Sequence, residues 1–235
     1  MKVKRTHDLI YLKENRKNKP KEYFKFIGAR SSKCISHLKK PSILDIGCAT
    51  GDFIGYLAAL HKHAEFMGMD VIPELIDRAR SMYPNCSFFY GDIYSGKKMP
   101  KIKFDVIFMS GVHSIFDDHI PWIDNLLKIV KPSGRIFVFG IFNPEPIDVL
   151  VKARRSSCEA PWESGWNLIS RETIGNYLKM LKVNFKFIPW QIKIDIPKNK
   201  KDPLRSWTFR TSGPSRLIVN GTQVLHHFAL LEIKP

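Results

Sequence analysis

Residues 42–53 read Ser42-Ile43-Leu44-Asp45-Ile46-Gly47-Cys48-Ala49-Thr50-Gly51-Asp52-Phe53. A short apolar run, Ile43, Leu44 and Ile46, carries one acid, Asp45, and enters a loop held by Gly47 and Gly51. An amphipathic helical pattern follows at once over Gly51–His63, with Phe53, Ile54, Leu57, Ala58 and Leu60 on one face. Strand, glycine loop and helix in that order bring backbone N–H groups up to a nucleotide-like ligand in doubly wound α/β proteins.

The same alternation continues on both sides. Further strands are expected at Glu65–Asp70, Ser87–Gly91, Phe104–Ser110 and Arg135–Phe142, with helices over Pro73–Met82 and Asp117–Val130. Asp117 or Asp118 is the expected N-cap of the latter, and Lys131-Pro132-Ser133-Gly134 the turn that follows it. Alternating β and α units imply a parallel sheet with right-handed crossovers. Residues 1–41 read as a basic cap of two helices, Asp8–Arg16 and Pro20–Leu38, with Pro20 in a first turn. Asn143 to Trp166 is rich in Pro, Trp and Arg and reads as a lid-like insertion on the substrate side. A helix capped by Ser170 runs to Leu181, and a long strand is expected over Asn184–Ile196. Ser206–Thr211 and Ser215–Asn220 form a hairpin, and Val224–Ile233 a final strand. The whole reads as one domain over 1–235: cap 1–41, ligand-binding core 42–142, and closing part 143–235.

Bulk properties exclude some classes. Apolar residues make up 44% of the 235, enough for a full core, yet no run of about 18 of them exists to span a bilayer. The start, Met1-Lys2-Val3-Lys4-Arg5, lacks the apolar stretch of a signal peptide. Cys34, Cys48, Cys86 and Cys158 are scattered without metal-ligand spacing, so reduced thiols, a cytoplasmic setting and no metal are expected. The formal net charge is +16, which suits either an anionic partner or a solvated lysine-rich surface. Lysines cluster at 13–40 and 193–201 without regular aromatic interleaving, so a nucleic-acid partner is kept as the second reading. The oligomeric state is not legible.

Four positions fall into register around the glycine loop. Gly47, Cys48, Ala49, Thr50 and Gly51 are small enough for close backbone approach to a ligand. Asp70, followed by Val71, ends the second strand 23 residues past Gly47, where a carboxylate grips ribose hydroxyls. Asp92 and Ile93 follow the third strand and suit an adenine ring and its amino group. Asp45 suits a ligand ammonium. Taken singly, Asp45 also reads as a strand-end cap, Asp92 as a turn residue, and the two glycines as a tight turn. A dinucleotide fingerprint fails, because Ala49 and Asp52 stand where its later glycines belong, and no phosphate-binding Gly-Lys-Ser/Thr loop exists.

These motifs resemble the seven-strand, Rossmann-like class I S-adenosylmethionine-dependent methyltransferases. The resemblance rests on the 42–53 stretch, Asp70, Gly91-Asp92-Ile93, Phe104 to His113, and Leu127 to Phe139, and covers about residues 40–142. It implies strand order 3-2-1-4-5-7-6 with strand seven antiparallel. It also implies S-adenosylmethionine across the first loop, S-adenosylhomocysteine as product, and no metal. Ser110 and Gly111, after the fourth strand, join the implied cofactor-binding set.

Methyl transfer needs alignment and exclusion of water, plus a base when the acceptor is a hydroxyl. His113, just beyond the fourth strand, is the expected general base, with a packing histidine as the alternative. Tyr11, Trp162, Trp166, Trp190 and Trp207 are candidates for the acceptor pocket, with the core as their other role. Arg154, Arg155 and Arg205 are candidates for holding an anionic acceptor. Ser110-Gly111-Val112-His113 replaces the Asn/Asp-Pro-Pro-aromatic loop that would mark base or glutamine amide methylation. A small-molecule O- or N-methyltransferase is the leading expectation, an RNA methyltransferase the second, and a non-catalytic regulator binding the same ligand the third.

Overall fold

The computed structural model describes residues 6–156, 160–213 and 215–235. Cys158, Pro214 and the first five residues, on which some of the expectations above fall, lie outside that set.

The first element among the described residues is a 3-10 helix, Thr6–Lys13, where a helix over Asp8–Arg16 was expected. Helix α1 follows over Glu22–Ser36, with Lys21 as N-cap, so Pro20 sits just outside its first turn. The core then alternates β1 Ser42–Ile46, α2 Asp52–Leu60, β2 Glu65–Asp70, α3 Pro73–Met82, β3 Ser87–Tyr90 and β4 Phe104–Ser110. Next come α4 Ile120–Ile129, β5 Val130–Ile141, short strands β6 Lys152–Ala153 and β7 Glu163–Ser164, and α5 Arg171–Met180. The chain closes with β8 Asn184–Pro189, β9 Trp207–Arg210, β10 Arg216–Val219 and β11 Phe228–Lys234.

One seven-stranded sheet has the order β3-β2-β1-β4-β5-β11-β8. The first five strands pair in parallel, and β11 runs antiparallel to both β5 and β8. With β8 as the sixth sheet strand and β11 as the seventh, this is the expected order and polarity. Period-two alternation divides the apolar side chains between the two faces. Ile43, Val106, Phe108, Phe137 and Leu230 pack against α1, α2 and α3, while Leu44, Ile107, Met109, Val138 and Leu231 pack against α4 and α5. Thus α1 is a structural layer of the sheet, and its first turn, at Tyr23 and Phe24, reaches the ligand cleft together with the 3-10 strap before it.

Four boundaries depart from the sequence reading, each for a local reason. Lys131 to Gly134 do not separate helix from strand. They bulge within β5, because Val130 pairs with Phe104 and Arg135 with Val106. A Cβ on Gly134 would meet the Asp105 carbonyl oxygen at 2.9 Å, so the bulge needs glycine there. Strand β8 stops at Pro189, and residues 190–196 leave the sheet to line a cleft. The stretch before β11 joins the hairpin instead, with the His226 N–H donating to the Ile218 carbonyl. The N-cap position of α4 is His119, not Asp117 or Asp118, although Asp118 Oδ1 still accepts from the Ile120 N–H at 2.9 Å. Asp117 is drawn away by the insertion, accepting from Ser164 Oγ at 2.6 Å and Lys152 Nζ at 2.5 Å. Ser170 does cap α5, its hydroxyl accepting from the Thr173 N–H at 2.9 Å.

Candidate functional site

The C-terminal ends of β1, β2 and β4 converge on one cleft, where α/β sheets of this winding bind ligands. The loop after β1 turns through three left-handed residues, Gly47 (φ 69°), Ala49 (φ 48°) and Gly51 (φ 79°). The Gly47 and Cys48 N–H groups both donate to the Met69 carbonyl, at 2.7 and 3.1 Å, which ties the loop to the end of β2. A Cβ on Gly47 would lie 2.2 Å from Val112 Cγ2, so the loop after β4 approaches too closely for any side chain.

Asp70 organises the floor. Its carboxylate accepts from the Ala49 N–H at 2.9 Å and the Ile72 N–H at 3.0 Å, locking the first loop to the start of α3. Burial raises its pKa to about 6 against the opposing effect of those donors. Asp45 is buried nearby, and burial, with the Asp70 charge, pushes its carboxyl well above the usual range. Burial, Asp70 and Asp45 keep the Cys48 thiol protonated in the same way. Ser110 Oγ is buried at the cleft wall without a hydrogen-bond partner among the described residues.

A cavity lined by these groups takes in all the predicted cofactor-binding positions except Gly51. Gly51 serves the path of the chain instead: a Cβ there would lie 2.8 Å from the Phe88 ring. Ile72, Leu75, Ile93 and Phe116 form the apolar end of the cavity. Asp92 lies beside them, its oxygens accepting from Tyr94 and Ser95 of its own turn. Among the wall residues that the sequence reading did not single out are Glu14, Lys21 and Tyr23. An acid standing alone in a lysine-rich run was the available signal for Glu14.

A second cavity of about 700 Å³ adjoins the first. Tyr11, Glu14, Lys21, Tyr23 and Gly111 border both. Its walls include Phe139, Trp166, Trp190, Ile192, Ile218 and Phe228. Tyr11 and Trp166, two of the acceptor-pocket candidates, thus line this second cavity. Trp162 and Arg154 do not: they line neither cavity, and Arg154 sits 4.9 Å over the Trp162 ring, which is 63% exposed. Asp117 holds the insertion through Lys152, Ser164 and Asn167, and Trp166 rather than Trp162 lines the cleft. Trp207 also lies off the cleft, under Lys198 Nζ.

His113 is likewise not positioned as a base. It is 2% exposed, lines neither cavity, and stacks on Phe142 at 4.3 Å. Its Nε2 bonds the Ile141 carbonyl at 3.0 Å, and burial lowers its pKa to about 4. Apolar packing against Phe142 and Trp122 and the close approach of Gly140 turned the ring into the core.

Comparison with known proteins bears on the same cleft. Residues 43–134 match the family model described as a methyltransferase domain. The matched stretch is about two-fifths of the 235 residues. The match spans β1 through the β5 bulge, and so includes every loop of the first cavity apart from the N-terminal strap. Trans-aconitate 2-methyltransferase of Escherichia fergusonii is 27% identical over 165 residues, covering 66% of this chain and 61% of that protein. The chain thus spans about six-tenths of the length of the curated relatives it matches. A methyltransferase structure from Clostridium acetobutylicum aligns with a TM-score of 0.58 at 13% identity, covering 97% of this chain and 94% of that one. The plantazolicin methyltransferase BpumL, solved in complex with a triazolic desmethylPZN analog and SAH, aligns with a TM-score of 0.58 at 16% identity, covering 99% of this chain and 96% of that one. At those identities the likeness is one of fold, and it extends over nearly the whole chain.

Proposed function

We propose that this chain transfers a methyl group from S-adenosylmethionine to an oxygen or nitrogen of a small-molecule acceptor. The observation that carries the reading is the pair of adjoining cavities. One is built of small loop residues and buried acids, the other of aromatic walls, and they share a border at Tyr11, Glu14, Lys21, Tyr23 and Gly111.

The donor's chemistry fits the first cavity. Asp70 accepts from ribose hydroxyls, Asp45 faces the ammonium, and the lone Ser110 hydroxyl gains a polar partner. Ile72, Leu75, Ile93 and Phe116 pack an adenine ring, with Asp92 at its edge. When bound, S-adenosylmethionine supplies a methyl group already activated by a positively charged sulfur. The protein's own contribution is then alignment and exclusion of water, which Tyr11 and Tyr23 provide at the border. The second cavity is open and is filled by neither Trp162 nor Trp166, which favours turnover over a purely regulatory ligand site.

The test is incubation of the protein with a metabolite extract and S-adenosylmethionine carrying a labelled methyl group, followed by mass spectrometry. A labelled small-molecule product that disappears with Asp70→Ala protein is expected. Label found only in RNA, or in nothing, would overturn the small-molecule reading.

A further inference from the structure

The larger cavity carries a charge pattern that the donor site does not explain. Glu14, on the shared border, is ion-paired to three cations: Arg16 at 3.3 Å, Lys21 at 3.1 Å, and Arg205 in still closer contact. Burial works against ionisation of this carboxyl, but Lys21, Arg16 and Arg205 hold it down at about 2. All three cations line the larger cavity. Asp202 lies 3.8 Å from Arg205, yet Arg155 stands at 3.8 Å on its other side and His7 at 3.5 Å. Among the described residues lining the cavity, Arg16, Lys19, Lys21, Lys25 and Arg205 stand against Glu14, Glu22 and Asp195, which leaves two positive charges over. Farther out, Asp195 is matched by Arg210 and Arg216, and Glu22 by Lys25.

Beyond this cationic edge the cavity is apolar. Phe139, Trp190 and Phe228 contact one another edge-on or stacked, with ring centroids 5.3 to 5.8 Å apart. Ile192 and Ile218, both buried, extend the same surface. A second or third carboxylate set against these walls would lose its hydration without a partner.

The residues bordering both cavities include no histidine. Glu14 is held ionised by its cations and is a weak base, and burial, Asp45 and Glu14 push the Tyr23 phenol up, so it stays protonated. His7 lines only the larger cavity and turns Nδ1 toward Asp202. An acceptor that is already an anion needs no base, and the forked guanidinium groups of Arg16 and Arg205 match a carboxylate.

We infer that the acceptor is an amphipathic monocarboxylic acid, its carboxylate at the Arg16–Lys21–Arg205 edge and its apolar body against Trp190 and Phe228, and that the product is its methyl ester. This rests on the methyl-transfer reading above. A carboxylate oxygen lone pair forms the bond to the methyl carbon. The carbon–sulfur bond breaks, its electron pair returns to sulfur, and no proton is released.

The probes are dodecanoate, dodecylamine and tricarballylate, tested with S-adenosylmethionine on the full chain. Binding is read by tryptophan fluorescence and calorimetry, and ester by mass spectrometry. Dodecanoate is expected to bind, to yield methyl dodecanoate, and to show a kcat that is flat between about pH 6.5 and pH 9, since nothing must be deprotonated. The double variant Arg16→Gln/Arg205→Gln, checked for folding by circular dichroism, is expected to weaken dodecanoate binding roughly tenfold or more without weakening dodecylamine. Preference for tricarballylate, equal use of dodecylamine, or a kcat rising with a base near neutral pH would overturn the inference. S-adenosylmethionine binding without any dodecanoate binding would overturn it while leaving the methyl-transfer reading intact. Failure to bind S-adenosylmethionine would remove both.

Discussion

Asp70 carries two tasks at once, and its titration follows from them. In the free protein burial raises its pKa to about 6, while ribose hydroxyls donate more strongly to the ionised form. A raised folded-state pKa favours the folded protein below the unfolded carboxylate value, and that advantage is lost as pH rises through 6. From 3.8 to about 6 the change is worth about 3 kcal/mol. Donor binding offsets this cost by providing partners for the carboxylate. The increase in melting temperature on adding S-adenosylmethionine should therefore be larger at about pH 8 than at about pH 5. Differential scanning fluorimetry at the two pH values checks it, and an equal shift would contradict the role given to Asp70. Gly47 is the second decisive residue. Gly47→Ala places a Cβ into Val112 at a left-handed φ of 69°, so a loss of stability on the order of 1–3 kcal/mol is expected, with weaker donor binding. Chemical denaturation measures the first and calorimetry the second.

Single caps set element boundaries that matter for the cleft. Ser170 starts α5 and also fixes the end of the insertion, because its N–H donates to Asp148 Oδ1 at 2.6 Å. Ser170→Ala should cost about 1 kcal/mol in urea denaturation while leaving donor affinity unchanged, since α5 is remote from the first cavity. The core elements were legible because each carries a periodic pattern that packing on the sheet obeys. Ile43 and Leu44 alternate between faces, and Asp70 ends β2 where the spacing from Gly47 places it. What escaped the sequence was decided across space. His113 has the residue type and position of a base, yet Phe142 and the Ile141 carbonyl draw it inward. Asp117 has the position of an N-cap, yet Ser164 and Lys152, 47 and 35 residues away, take its carboxylate. Glu14 and Lys21 belong to a strap whose placement depends on Arg205, 191 residues from Glu14 in sequence. No local pattern reports contacts of that range.

At the scale of the whole molecule, the ends of the chain build the acceptor side and the middle builds the donor side. The strap and α1 provide one wall of the larger cavity, and the segments after β8 and before β9 provide the other. Part of the formal charge of +16 thus lies at a cleft whose described lining carries two more cations than acids. Because both cavities draw on the same sheet, we expect the chain to unfold as one unit. A single calorimetric transition that moves upward with S-adenosylmethionine is predicted, and two separable transitions would contradict it. The central claim is that the loop after β1 and the acids Asp45 and Asp70 hold the methyl donor. Isothermal titration of S-adenosylmethionine into the native chain and into Asp70→Ala tests it most directly. One-site binding is predicted, weakened roughly tenfold or more by the substitution, which removes charge-assisted hydrogen bonds worth about 1.5–3 kcal/mol each. Equal affinity of the two proteins would contradict it.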